Sequence, residues 1–162
     1  MSDFSPDPVA DHEKLARFVF LPLHVDKNGR IKSGAFSHVH EKGCSIQRDD
    51  LATNEQSTLF VKDFLDKDVQ RVWKGVLVAS CKDVRSIKAD NGKARAVCVF
   101  DTAEQSNLAH AELCQTHHID EADRVELRRN LIVAFGNGVP IKPTEYRQGN
   151  VWAELRSDFR SR

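Results

Sequence analysis

Apolar residues crowd into short runs along this chain, and their spacing sorts them into strands and helices. Leu15-Ala16-Arg17-Phe18-Val19-Phe20-Leu21, stopped by Pro22, predicts a first strand. Asp26-Lys27-Asn28-Gly29 is a turn signal, residues 31–40 carry no clear period, and residues 43–47 read as a short strand. Phe60, Val61, Phe64 and Leu65 recur at helical spacing, and Val69, Val72 and Trp73 extend the stripe. The pattern predicts a helix over 54–74, capped by Thr53 or Asn54, closed by Gly75, with a break near residues 66–68.

Residues 75–79 and 84–88 then read as strands, and Asp90-Asn91-Gly92 turns the second into Val97-Cys98-Val99-Phe100. That last run is expected in the middle of the molecule, with residues 109–113 as a strand beside it. Residues 119–123 are an acidic helix start with Asp120 as N-cap, and the helix continues through Phe135 to Gly136. Pro140 and Pro143 mark a loop, and residues 151–159 end the chain as a strand or a helix. The fold class expected is α+β: a mainly antiparallel sheet with two principal helices in a single compact domain over 14–162. Residues 1–13, acidic and holding two prolines, are expected to be a flexible N-terminal tail.

Composition narrows the setting. The chain has 162 residues, long enough for a core without disulfides or metal. Its 24 Lys and Arg balance 24 Asp and Glu, which disfavours nucleic acid as a partner and leaves self-association unopposed by charge. No apolar run approaches the length of a membrane span, and the start lacks a secretory signal. Cys44, Cys81, Cys98 and Cys114 form no close pair, which fits reduced thiols and a cytoplasmic location.

Three groups of residues carry the candidate chemistry. His110-Ala111-Glu112 resembles the His-Ala-Glu of zinc-dependent cytidine deaminases, but those enzymes complete the zinc site with a downstream Pro-Cys-x-x-Cys. Here no second cysteine follows Cys114, so that reading is rejected. His24, His38, His40, His110, His117 and His118 fall in turns and at strand ends, yet match no ligand spacing, and no metal site is assigned. The third group is Arg17, His24, Ser33, Ser37, Ser45 and Gln47, a guanidinium, an imidazole and hydroxyls able to hold phosphate or a nucleotide. ADP-ribosyl-transferring folds use a basic residue on an early strand, hydroxyls on a middle one and a late Glu; here Glu112, Glu145 and Glu154 are equal candidates. Cys44 and Cys114 are candidate nucleophiles only in principle.

Residues 17–20, 26–37 and 44–46, followed by 97–102 and 107–113, resemble in order and spacing a family of small bacterial proteins of unknown function. The resemblance implies a bacterial cytosolic setting and no activity. The first expectation is therefore an interaction or accessory protein, with a protein partner or a second copy of itself, no cofactor named and no catalysis. The alternative is a small enzyme or nucleotide- or phosphate-binding domain, ADP-ribosyltransferase-like or metal-dependent. There Arg17 holds an anion with Ser33, Ser37 and Ser45, His24 or His110 acts as acid or base near neutrality, and Asp101 orients the imidazole.

Overall fold

The sheet is built outward from the first strand, which is buried on both faces. The computed structural model describes residues 8–147. Strand β1 (Lys14–Leu21) turns Leu15 and Val19 to one side and Ala16, Phe18 and Phe20 to the other, all fully buried. β2 (Cys44–Arg48) follows, then helix α1 (Asn54–Asp66) and β3 (Val72–Ser80). The short helix α2 (Cys81–Arg85) leads to β4 (Lys88–Ala89), β5 (Ala94–Arg95), β6 (Val97–Asp101) and β7 (His110–Gln115). Helix α3 (Arg124–Ala134) comes last. Five strands form one antiparallel sheet in the order β3-β1-β2-β7-β6, so the domain is α+β, as the pattern predicts.

Each face carries its own core. Leu15 and Val19 pack under the 3-10 helix Ser33–His40 and α3, where Phe36 meets Phe135 at 5.1 Å. Ala16, Phe18 and Phe20 pack under α1, against Val61, Leu65, Trp73 and Tyr146. Each such aromatic or aliphatic side chain, fully buried, contributes about 1.5–3 kcal/mol.

Several elements differ from expectation, each for a local reason. α1 is held by a reciprocal cap in which Thr53 Oγ1 accepts from Gln56 N (3.1 Å) and Gln56 Oε1 accepts from Thr53 N (3.2 Å). It stops at Asp66, because Asp68 Oδ1 accepts from Gln70 N and turns the chain, so Val72 and Trp73 belong to β3. Gly75 is not a cap but an interior residue of β3 with φ +143°, pressed against the Ile141 carbonyl where Val76 bridges Ile141. Val84 lies in α2 rather than a strand, since Ser80 Oγ accepts from Asp83 N and caps a helical turn. Residues 33–40, without a period of their own, form a 3-10 helix anchored by Ala35, Phe36 and Val39.

The largest correction concerns the run expected at the centre. Val97–Asp101 is a strand, but it lies at the edge of the sheet, with Phe100 51% exposed. The Asp90-Asn91-Gly92 turn joins the two-stranded hairpin β4–β5, with positive φ at all three residues. α3 begins at Arg124, and Asp120 caps the turn before it by accepting from Asp123 N. At the N-terminal side, Val9 is buried in the first core, while Glu13 binds Arg48 through two 2.8 Å hydrogen bonds. Residues 1–7 and 151–159 lie outside the described residues. Among the described residues no helix is long and apolar enough to cross a membrane.

Candidate functional site

One polar residue interrupts the buried run of β1, and the site grows from it. β1 and β2 pair only at Leu15–Arg48 and Ala16–Gln47; beyond those pairs the strands part. Arg17 stands at the point of parting, 6% exposed. Its Nε and Nη2 donate to the Ala35 carbonyl (3.2 and 2.9 Å) and its Nη1 donates to the Ser45 carbonyl (2.9 Å). His24, also 6% exposed, fills the gap further along: its backbone N donates to Phe20 O, and its Nδ1 accepts from Phe20 N at 3.2 Å.

The gap opens into a cleft of about 680 Å³ with a cationic rim and an apolar wall. Arg17, Lys32, Lys42, Lys67 and Arg71 line it together with His24 and His38, and among the described residues no carboxylate does. Phe60, Phe64 and Leu23 form the apolar part, Phe60, Phe64 and Lys67 sharing one face of α1 at spacings of four and three. Arg71 stacks over the Phe64 ring at 4.2 Å and donates to the Phe64 carbonyl, while its buried Nε has no hydrogen-bond partner.

The electrostatics of the floor are one-sided. Among the described residues Arg17 forms no ion pair with a carboxylate within 4 Å, although its guanidinium is buried. Burial first, and then the charges of Arg17, His38, Arg71 and Lys32, push His24 down to about 3. His24 is therefore neutral near pH 7, which removes it as an acid–base group there. With Nδ1 accepting from Phe20, the remaining proton sits on Nε2, and Nε2 faces Arg17 Nη2 at 3.4 Å. Two donors face each other with no acceptor between them, an arrangement that an anion would satisfy. Two carboxylates flank the cleft: Glu41 beside His38 at 3.6 Å, and Glu112 across from Ser45 on β7.

The other sequence candidates divide. Ser37 and Ser45 line the cleft, Ser37 donating within its own helix to Gly34 O at 3.0 Å. Ser33 opens the 3-10 helix in an exposed position and does not line it. Gln47 is fully buried, with neither atom of its amide bonded. His110 stands behind Ser45: its Nε2 is 3.3 Å from Ser45 Oγ and its Nδ1 is 2.7 Å from Thr102 Oγ1. The His110 imidazole lies against Thr102, and Asp101 faces Arg48 Nη1 at 3.5 Å and accepts from Ala103 N. Asp101 thus belongs to a buried Glu13–Arg48–Asp101 set that ties the N-terminal segment to β2 and β6.

Burial raises the Cys44 and Cys114 thiols, and Glu112 adds to the rise at both, so neither is an activated nucleophile. The histidines do not converge: His40 Nδ1 pairs with Gln115 Oε1 at 2.6 Å, and His117 stacks with His118 at 3.8 Å. A second hollow, lined by Asp90, Asp120, Asp123 and Glu126, has no buried charged group. Sequence reasoning found Arg17, His24, Ser37 and Ser45 but missed Lys42, Lys67, Arg71, the phenylalanine wall and Thr102. The one signal available for the wall was the shared helical face of Phe60 and Phe64.

No family model matches the chain, and neither a curated protein nor a solved structure matches it.

Proposed function

We propose that the cleft binds a small molecule carrying phosphate, or a comparable dianion, on an apolar or aromatic body. The observation that carries this reading is the buried Arg17 guanidinium, which has three hydrogen bonds but no counter-charge among the described residues and faces a neutral imidazole N–H. A buried charge is ordinarily paired, because its desolvation is otherwise uncompensated. A ligand anion would supply the pairing, Lys32, Lys42 and Arg71 would add charge at the rim, and Phe60 and Phe64 would cover the rest of the molecule.

Thermal unfolding in inorganic phosphate, pyrophosphate and adenine nucleotides tests it. A ligand at a hundred times its Kd stabilises by about 2.7 kcal/mol. For a domain of this size that is a rise in Tm of about 5–10 °C. Arg17→Met removes the response. No rise with any of these anions at millimolar concentration rejects the proposal.

A second reading, an interaction or accessory protein, draws support from the edge strand β6, where Phe100 stands 51% exposed. Sedimentation of the wild type and of Phe100→Glu tests whether a second copy covers that edge.

A further inference from the structure

Ser45 and His110 are joined in a way that phosphate binding alone does not need. The Thr102 carbonyl, 3.3 Å from His110 Nδ1, can only accept, and Thr102 Oγ1, at 2.7 Å, can accept or donate, so the tautomer with the ring proton on Nδ1 satisfies both oxygens. His110 Nε2 is then a bare acceptor, and Ser45 Oγ–H is its partner at 3.3 Å. A hydroxyl, a base and a group that fixes the base's tautomer are the three parts of an activated nucleophile. The register of the sheet holds them in place. Ser45 lies on β2, the neighbouring Gln47 is paired with His110 on β7, and Thr102 N donates to His110 O just past the end of β6.

The same serine belongs to the cationic cleft. Ser45 lines it, and the Ser45 carbonyl holds Arg17 Nη1, so the nucleophile and the buried guanidinium share one residue. Resting on the anion-binding reading above, we propose that Ser45 is the nucleophile and His110 the general base for hydrolysis of a phosphate ester bound in this cleft. Ser45 Oγ forms a bond to phosphorus as the bond from phosphorus to the leaving oxygen breaks. The Ser45 proton passes to His110 Nε2 and from there to the leaving alcohol. Water then attacks the phosphoserine, giving its proton to His110, which returns one to Ser45 Oγ as inorganic phosphate departs. The sum is ester plus water to alcohol plus phosphate. Charge developing on the phosphoryl oxygens is met by Arg17 and Lys42. Thr102 is a positioning residue.

A fluorophosphonate probe tests the nucleophile without knowledge of the substrate, because attack on phosphorus expels fluoride and leaves a stable phosphonyl-serine. Mass spectrometry of the labelled full chain is expected to place one adduct on Ser45. Ser45→Ala loses it, His110→Asn slows it by about 100-fold or more, and inorganic phosphate protects against it. Thr102→Val lowers the rate and displaces the pH profile of labelling, an effect that loss of stability does not give. Each variant is first checked for an unchanged unfolding transition and for phosphate stabilisation in the same buffer. Phosphate binding without labelling of Ser45, or labelling that is as fast in His110→Asn, overturns the catalytic assignment. Labelling of Ser45 that depends on His110 but is indifferent to phosphate supports the nucleophile and rejects the anion-binding reading.

Discussion

Burial of His24 makes the stability of this fold depend on pH in a range where carboxylates do not titrate. The native imidazole takes a proton only near about 3, while in the unfolded chain it does so near the ordinary value of 6.5. Between these two values the unfolded state binds the extra proton, so stability is full above about pH 6.5 and falls as the pH is lowered. From neutrality to about pH 5 the change spans about 1.5 pH units of the unfolded titration, or about 2 kcal/mol at 1.36 kcal/mol per unit. For a domain of this length that is a fall in Tm of about 4–8 °C. His24→Asn isolates the effect, since its Oδ1 can accept from Phe20 N as Nδ1 does. Urea unfolding of both proteins at several pH values gives the difference directly. The wild type should lose about 2 kcal/mol more than the variant. Parallel curves between neutrality and about pH 5 would refute the argument. Saturating phosphate should flatten the wild-type curve, because a bound anion favours the imidazolium.

Three further substitutions probe the frame around the cleft. Glu13→Gln removes one side of a buried ion pair and should cost about 3 kcal/mol at neutral pH, seen as a lower urea midpoint. Burial acts to raise the Glu13 carboxyl, but hydrogen bonds from Arg48 and Ala10 N and the Arg48 charge hold it below 4.5. The contribution is thus present above the unfolded value, and the gap between wild type and variant should close as pH falls below it. Gln47→Leu removes a fully buried amide with no partner and should raise stability, by up to about 1–3 kcal/mol; a lower Tm would mean the amide is satisfied. Gly75→Ala sets a Cβ 2.3 Å from the Ile141 carbonyl at φ +143° and should destabilise by more than about 2 kcal/mol, measured by thermal unfolding.

Most strands and both principal helices were legible because their apolar periods are local properties; residues 84–88, read as a strand, open instead in α2. Where a period continued by coincidence, as from Leu65 through Val69 to Trp73, the turn made by Asp68 decided the boundary instead. A four-residue apolar run such as residues 97–100 announces a strand but not its place in the sheet; that depends on which neighbours pair with it. Arg17 was legible as a lone charge inside an apolar strand. Its surroundings were not, since Lys42, Lys67 and Arg71 converge only because β1 and β2 separate after two pairs. The pairing of Asp101 with Arg48 was not legible for a similar reason: Arg48 is far away in sequence, whereas His110 is near.

The early end of the β1–β2 ladder leaves the sheet as two panels, β3-β1 and β2-β7-β6, stitched by two residue pairs, by the hydrogen bond from Asp49 N to Lys14 O and the Glu13–Arg48 ion pair at one end, and by one guanidinium that reaches across. An anion drawn to Arg17 would load the stitch itself, so occupancy of the cleft and the rigidity of the whole sheet would rise and fall together.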